Sequence, residues 1–363
     1  MMQRLLSCSL VILLVGCGAG IGPNRIPPGR FGYNLAIVNS QKEQMLLNLV
    51  RLRYQDTPLF LDLENVVASF GLSTSLKLTP GLYNSGGETT RSLGAEADVI
   101  GWEDRPTITY TPLQGDEFAK RMLAPIQPQQ LLLLVQSGWG LERLMICCVQ
   151  QINDLPNATA IGGLAPVRVR QYEQFQRVAI LMRQLQEEGY LQLSPAKSDP
   201  SRVVLGPGPV RPDLDAIKGM TEVATKLGLK VDAGRHVMVG GQEMRQEDEI
   251  EVRGRSLLGV MVFLAQSVEI PPEHNAKHLV RQTLGPDGGP FDWKEVNRGL
   301  FKVHSGPDAP SGAYVKIPYR GHWYWISDDD LETKGTFSLL SQLFSLQAAT
   351  SKGNTPILTL PSR

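Results

Sequence analysis

Between Val67 and Gly101 the chain alternates apolar and polar residues with a period of two, which restricts it to an antiparallel pair of β-strands. On the first arm Ala68, Phe70, Leu72, Thr74, Leu76 and Leu78 share one side. Val67, Ser69, Gly71, Ser73, Ser75 and Lys77 share the other. A polar, glycine-containing turn runs from Pro80 to Arg91. On the second arm Leu93, Ala95, Ala97 and Val99 lie opposite Gly94, Glu96 and Asp98. Pro58 to Asp62 reads as a short buried strand, and Thr107 to Thr111 as a third strand beside the hairpin.

Each arm approaches the roughly 9–11 residues that cross a bilayer in a barrel strand. Phe70, Leu72, Leu76, Leu93 and Val99 therefore form either a membrane-facing surface or the packing face of a soluble sheet. Tyr83 near the tip and Trp102 near the base sit where interfacial aromatics belong, which favours insertion. Ala68, Thr74, Ala95 and Ala97 are only modestly apolar, which favours the soluble sheet. A single hairpin cannot close a barrel, so insertion requires strands from several subunits.

From Gln114 the hydrophobic period becomes helical. Helices are expected over 115–124, 128–137, 141–152, 170–188, 213–227 and 256–266, and after the acidic run Asp328–Asp330. An earlier helix, opened by the capping box Ser40-Gln-Lys-Glu43, should run to about Tyr54. Short strands are expected near Leu191 and Val203, and at 230–232, 236–239 and 249–253. A second hairpin over Ala313–Ser327 should turn at Arg320-Gly321. The fold class is α+β, with mostly antiparallel strands and one long amphipathic hairpin packed with several amphipathic helices. The regions are 34–156 (helix, β-hairpin, helices) and 157–363 (α+β), forming one domain or two, with Ala160–Pro166 as the boundary loop.

The chemistry-bearing residues are sparse. The 36 Lys and Arg residues balance 36 Asp and Glu, which argues against nucleic-acid binding by phosphate neutralisation. Glu273-His274-Asn-Ala-Lys-His278 spaces two histidines one helical turn apart but brings no third ligand, so neither a metal nor any other cofactor is expected. Ser194-Pro-Ala-Lys197 has the spacing of a serine–lysine acylation motif without its supporting elements, and no catalytic residue is assigned. Arg51 and Arg53 fall on different helix faces and read as locally ion-paired. Cys147 and Cys148 are adjacent on a helix, where they cannot bond to each other, and read as small buried apolar residues. Tyr319, Trp323 and Trp325 in the second hairpin are a candidate stacking face for sugar rings.

The first residues complete the reading. Arg4 precedes an apolar run from Leu5 to Val15, too short to span a bilayer but of the length of a signal-peptide core. Leu14-Val15-Gly16-Cys17 resembles the lipobox of bacterial lipoproteins. That resemblance implies that 1–16 is a signal peptide, that Cys17 carries lipid, and that 17–33, rich in Pro and Gly, is a flexible tether. Acyl chains contribute about 0.8 kcal/mol per buried methylene, so two or three anchor a protein permanently. Gly18, where enterobacterial inner-membrane lipoproteins carry Asp, implies the outer membrane, with the body facing the periplasm. Asn48-Leu-Val-Arg-Leu-Arg-Tyr54, Pro58-Leu-Phe-Leu-Asp62, Thr336–Gln347 and Thr355–Pro361 resemble segments of an uncharacterised group of proteobacterial lipoproteins, which implies no activity.

Three functions follow as expectations. The first is a lipid-anchored envelope protein acting through contacts with the membrane, with other envelope proteins or with itself. The second is a subunit of an oligomeric outer-membrane pore or secretion assembly that inserts hairpin 67–102. The third is an envelope hydrolase or glycan binder. In all three, labelled palmitate should enter the wild-type product and be lost in Cys17→Ser; an unlabelled wild-type product contradicts the address.

Overall fold

In the computed structural model, Pro27 and Pro28 occupy the first turn of a helix, where a missing N–H costs nothing. The structure describes residues 26–73, 76–85, 88–97, 101–158, 169–197, 199–230, 234–241, 249–284, 289 and 291–349. The signal segment and Cys17, Val99, the loop Ala160–Pro166, the strand residues 231–232 and Thr355–Pro361 lie outside these. Helix α1 (Ile26–Arg53) starts well before the capping box at Ser40 and takes up the second half of the expected tether. Its later part is buried through Leu46, Leu49 and Val50. Phe31, Leu35 and Val38, spaced along one side of its earlier part, are exposed.

The chain divides into two compact units, Leu59–Gln114 and the remainder. The smaller unit contains β1 (Leu61–Ser73), β2 (Leu76–Ser85), β3 (Glu88–Ala97) and β4 (Gly101–Pro112). The larger unit is an α+β body. After α1 come α2 (Gly115–Phe118) with a π-helical turn to Leu123, α3 (Pro128–Gln136), α4 (Leu141–Cys148), β5 (Val149–Ile152), β6 (Leu155–Pro156) and α5 (Val169–Glu187). Then follow β7 (Leu191–Pro195), β8 (Val203–Pro207), α6 (Leu214–Leu227), β9 (His236–Gly240), β10 (Glu249–Gly254) and α7 (Leu257–Ala265). The body closes with α8 (Pro272–Ala276), α9 (Trp293–Asn297), β11 (His304–Gly306), β12 (Ala313–Tyr319), β13 (His322–Ser327) and α10 (Leu331–Ala349).

One sheet of the body has the order β6-β5-β10-β9-β8-β7, with β9 and β10 parallel and the other pairs antiparallel. The other is the antiparallel sheet β11-β13-β12. Asp213 and Ser256 cap α6 and α7, each accepting from a backbone N–H three residues on, and Gly189 and Gly228 follow α5 and α6 with positive φ. α7 is apolar on nearly every side and lies in the core, with Leu257, Val260, Met261, Phe263 and Leu264 all buried.

The helix expected over 141–152 stops at Cys148 and continues as strand β5. This puts the carbonyl end of α4 inside the body, away from water. Arg255 satisfies it. Its Nη1 donates to Ile146 O at 2.7 Å and Cys147 O at 2.9 Å, and its Nη2 to Ala158 O at 2.6 Å. Asn157 Nδ2 adds bonds to Ile146 O and Val149 O. A cation at the negative end of a helix is stabilised by the dipole, and the guanidinium also lies 4.1 Å from the Phe263 ring centroid. Burial pulls Arg255 down to about 10, still protonated at neutral pH. Burial likewise pushes the Cys147 thiol up to about 11 and Cys148 well above its usual value, so both free thiols are inert. Just before Arg255, a Cβ on Gly254 would sit 2.0 Å from Ile126 O, so only glycine permits this approach. Arg255→Leu leaves these carbonyls without their cation; urea denaturation should show a loss of about 3 kcal/mol, whereas wild-type stability would show the cap to be dispensable.

Candidate functional site: a two-stranded amphipathic hairpin and a buried tyrosine–histidine cluster

The smaller unit is built from antiparallel pairs alone. β1 pairs with β4 from Leu61 opposite Pro112 to Ser73 opposite Gly101. β2 pairs with β3 from Leu76 opposite Ala97 to Ser85 opposite Glu88. The stretch Pro80–Arg91, expected as a turn, is thus mostly strand, and Thr107–Thr111 belongs to the returning arm rather than to a third strand. The prolines did not stop the ladders because in a two-stranded sheet every strand is an edge, where a missing N–H need not break a bond.

Register divides each ladder into two faces. On β2 and β3, Leu76, Leu78, Pro80 and Leu82 share a face with Ala97, Ala95 and Leu93, opposite them in that order down to Pro80. Lys77, Thr79, Gly81 and Tyr83 share the other with Glu96, Gly94, Ser92 and Thr90. Lys77 stands opposite Glu96 in this register. On β1 and β4, Val66, Ala68, Phe70 and Leu72 lie opposite Ile108, Pro106, Asp104 and Trp102, and Ser69, Gly71 and Ser73 opposite Arg105, Glu103 and Gly101. Phe70 and Leu72 share one face of the first ladder, and Leu76 and Leu93 one face of the second. Tyr83 falls on the polar face, unlike Trp102, and so does not complete the expected aromatic pair.

In the body, the end of α1, the start of α8 and the hairpin β12–β13 bring a cluster of polar rings together. Arg320 and Gly321 both have positive φ, as a tight hairpin turn of this hand requires. The turn sets Arg320 Nη2 2.8 Å from Asp56 Oδ2, and Tyr319 donates its O–H to the same oxygen. Those two bonds hold the Asp56 carboxyl below the usual carboxylate range. Beneath them, Tyr54 Oη lies 2.5 Å from His274 Nδ1 and 2.6 Å from Tyr324 Oη. All three residues are buried. Burial pushes the Tyr54 and Tyr324 phenols up and pulls His274 down, with the neighbouring His322 adding to the last effect. The His274 and His322 rings stand edge to face, 4.8 Å apart, and His322 Nε2 lies 3.1 Å from Glu273 Oε1.

The cluster differs from the sequence expectation in its histidines. α8 ends at Ala276, and His278 has φ of 53°, outside the helix, so His274 and His278 do not share a face. His322, from a distant strand, takes the place beside His274. The expected stacking face also divides. Tyr319 lies opposite His322 on the side turned to Tyr54, while Trp323 and Trp325 lie on the other side, opposite Pro318 and Lys316. Trp325 stacks on His304 with rings 5.6 Å apart. Ser194 is a strand residue opposite Val204, with Lys197 exposed beyond the strand end. Arg53 Nη1 donates to Arg281 O.

No protein-family model matches the chain, no curated protein matches it, and no solved structure matches it. The geometry alone therefore carries the functional reading. For the cluster, Tyr54→Phe and Tyr324→Phe should each lower stability by about 1–2 kcal/mol, and the double variant by less than the sum, because both remove the same bond. Strict additivity in a denaturant-measured double-mutant cycle would contradict the shared bond.

Proposed function

We propose that this protein is a lipid-anchored subunit of an oligomeric outer-membrane assembly, in which each copy contributes its hairpin, centred on residues 67–102, to a shared β-barrel. The observation that carries the reading is the hairpin itself: two-stranded ladders with one face mostly apolar, interrupted by Asp104 opposite Phe70 and Arg91 opposite Leu82, and the other face mostly small or charged. An isolated two-stranded hairpin is marginal in water. Among the described residues each strand has a single ladder partner, and the edges of such a hairpin are templates for further strands. Strands from neighbouring copies satisfy those edges, and closure of the ring removes them altogether.

The dimensions fit. The apolar positions from Leu72 to Leu82 on the outgoing arm cover about 33 Å at roughly 3.3 Å per residue. Tilted by about 40°, that matches an apolar band about 25 Å tall. Trp102, opposite Leu72, stands at one end of the band, where aromatic girdles lie. The opposite face, with Ser69, Gly71, Lys77, Thr79, Glu96 and Glu103, suits a water-filled interior. The lipobox at Leu14–Cys17 would hold each copy at the bilayer before assembly. Among the described residues no helix is long and apolar enough to cross a membrane, so the hairpin is the element with spanning geometry. The exposed side of α1, with Phe31, Leu35 and Val38, suits packing between neighbouring copies.

At two strands per copy, a barrel of eight or more strands needs about four copies or more. Full-length protein extracted in mild detergent should form rings of at least that number in electron micrographs. Leu78→Arg places a charge within the apolar band, at about 2–4 kcal/mol per copy. It should abolish the rings yet leave the melting of the larger unit unchanged. A wild-type protein that is monomeric in detergent and in vesicles would overturn the reading.

A further inference from the structure

A second feature is independent of the hairpin. Glu273, His274 and His322 each offer a donor atom, and the three atoms lie within 4.8 Å of one another. They come from α8 and β13, so tertiary structure assembles them. We propose that these three residues form a binding site for a divalent transition-metal ion of the zinc class, with one coordination position left to water.

The donor set fits such an ion. Two imidazoles and a carboxylate are the ligand types that zinc and its neighbours in the first transition row take, and three protein ligands leave the fourth tetrahedral position open. Bonds of about 2.0–2.1 Å put tetrahedral ligand atoms about 3.4 Å apart. The pair His322 Nε2 and Glu273 Oε1, at 3.1 Å, already has that spacing. Glu273, the exposed member, can move to complete the set, whereas His274 and His322 are held in the fold.

The surroundings also fit. A metal-bound histidine commonly uses its second nitrogen in a fixed hydrogen bond that sets its tautomer. With the ion on Nε2 of His274, Nδ1–H donates to Tyr54 Oη at 2.5 Å, and Tyr54 O–H donates on to Tyr324 Oη at 2.6 Å. His322 Nδ1 is buried without a hydrogen-bond partner among the described residues, and Nε2 faces only the exposed carboxylate of Glu273, so no other group of the fold competes for the nitrogen that would take the ion. The nearby cation Arg320 is held by Asp56 at 2.8 Å, which tempers its repulsion of a metal; Lys277 is exposed.

Detergent-solubilised full-length protein, freed of metal by chelator and dialysis, should be titrated with Zn²⁺ by calorimetry and with Co²⁺ by visible absorption. The expected result is saturable uptake of one ion per chain, with cobalt bands typical of four- or five-coordinate nitrogen and oxygen ligation. Glu273→Gln, a change at an exposed residue that leaves folding intact, should weaken Zn²⁺ binding at least tenfold. His322→Gln should remove the cobalt bands, and His278→Ala should leave both readouts at wild-type values. Absence of saturable binding would overturn the proposal, as would binding unchanged by both Glu273→Gln and His322→Gln.

Discussion

A backbone amide that is not paired must be solvated, and a two-stranded hairpin leaves one edge of each arm in that condition. The smaller unit consists of ladders of this kind alone. Taken alone, such a hairpin is at best marginally stable in water. Three or more strands, a packed helix or a closed ring are the ways to satisfy such edges. The two-faced composition bears on which of these the proposed assembly uses. A face of Phe70, Leu72, Leu76, Leu78 and Leu93 needs an apolar neighbour, and a face of serine, glycine, lysine and glutamate needs water. A barrel wall in a bilayer gives both at once.

Several of the larger unit's buried polar groups find partners within it. The buried end of α4 receives Arg255 and Asn157, and α7 fills the centre with apolar side chains. Glu142, itself buried, receives Arg183 at 3.0 Å and Arg298 at 2.8 Å, so even its buried charge is paired from two sides. The contrast between a body that pairs such groups internally and a hairpin with open edges is the physical basis for assigning scaffold to one and assembly to the other. The tyrosine–histidine cluster belongs to the body, and its metal chemistry stands or falls apart from the hairpin.

Local periodicity made most of the elements legible. The alternation over 67–73, 76–78 and 92–97, the caps Asp213 and Ser256, the stop at Gly189 and the turn at Arg320-Gly321 all act within a few residues, and each appears where its chemistry requires. What was not legible depended on distant partners. The apolar run 141–152 reads as one helix, but a cation more than a hundred residues later closes it at Cys148. The strands continue through Pro80 because the ladder has only edges, a fact about sheet order that the sequence does not carry. That Trp102 lies opposite Leu72, and Leu93 opposite Pro80, emerges only from the register. His322 could be found beside His274 only by folding the chain; the one available signal was a histidine next to a glycine turn, which names no partner.

The most direct test of membrane insertion is a residue-by-residue accessibility scan from Leu76 to Leu82, with single cysteines introduced in lipid-embedded protein. Cys147 and Cys148 are buried and supply no background. Insertion as a barrel wall requires a period of two: lipid-soluble quenchers reach labels at 76, 78, 80 and 82, while water-soluble thiol reagents reach 77, 79 and 81. Uniform reaction with the water-soluble reagent at all seven positions would contradict it.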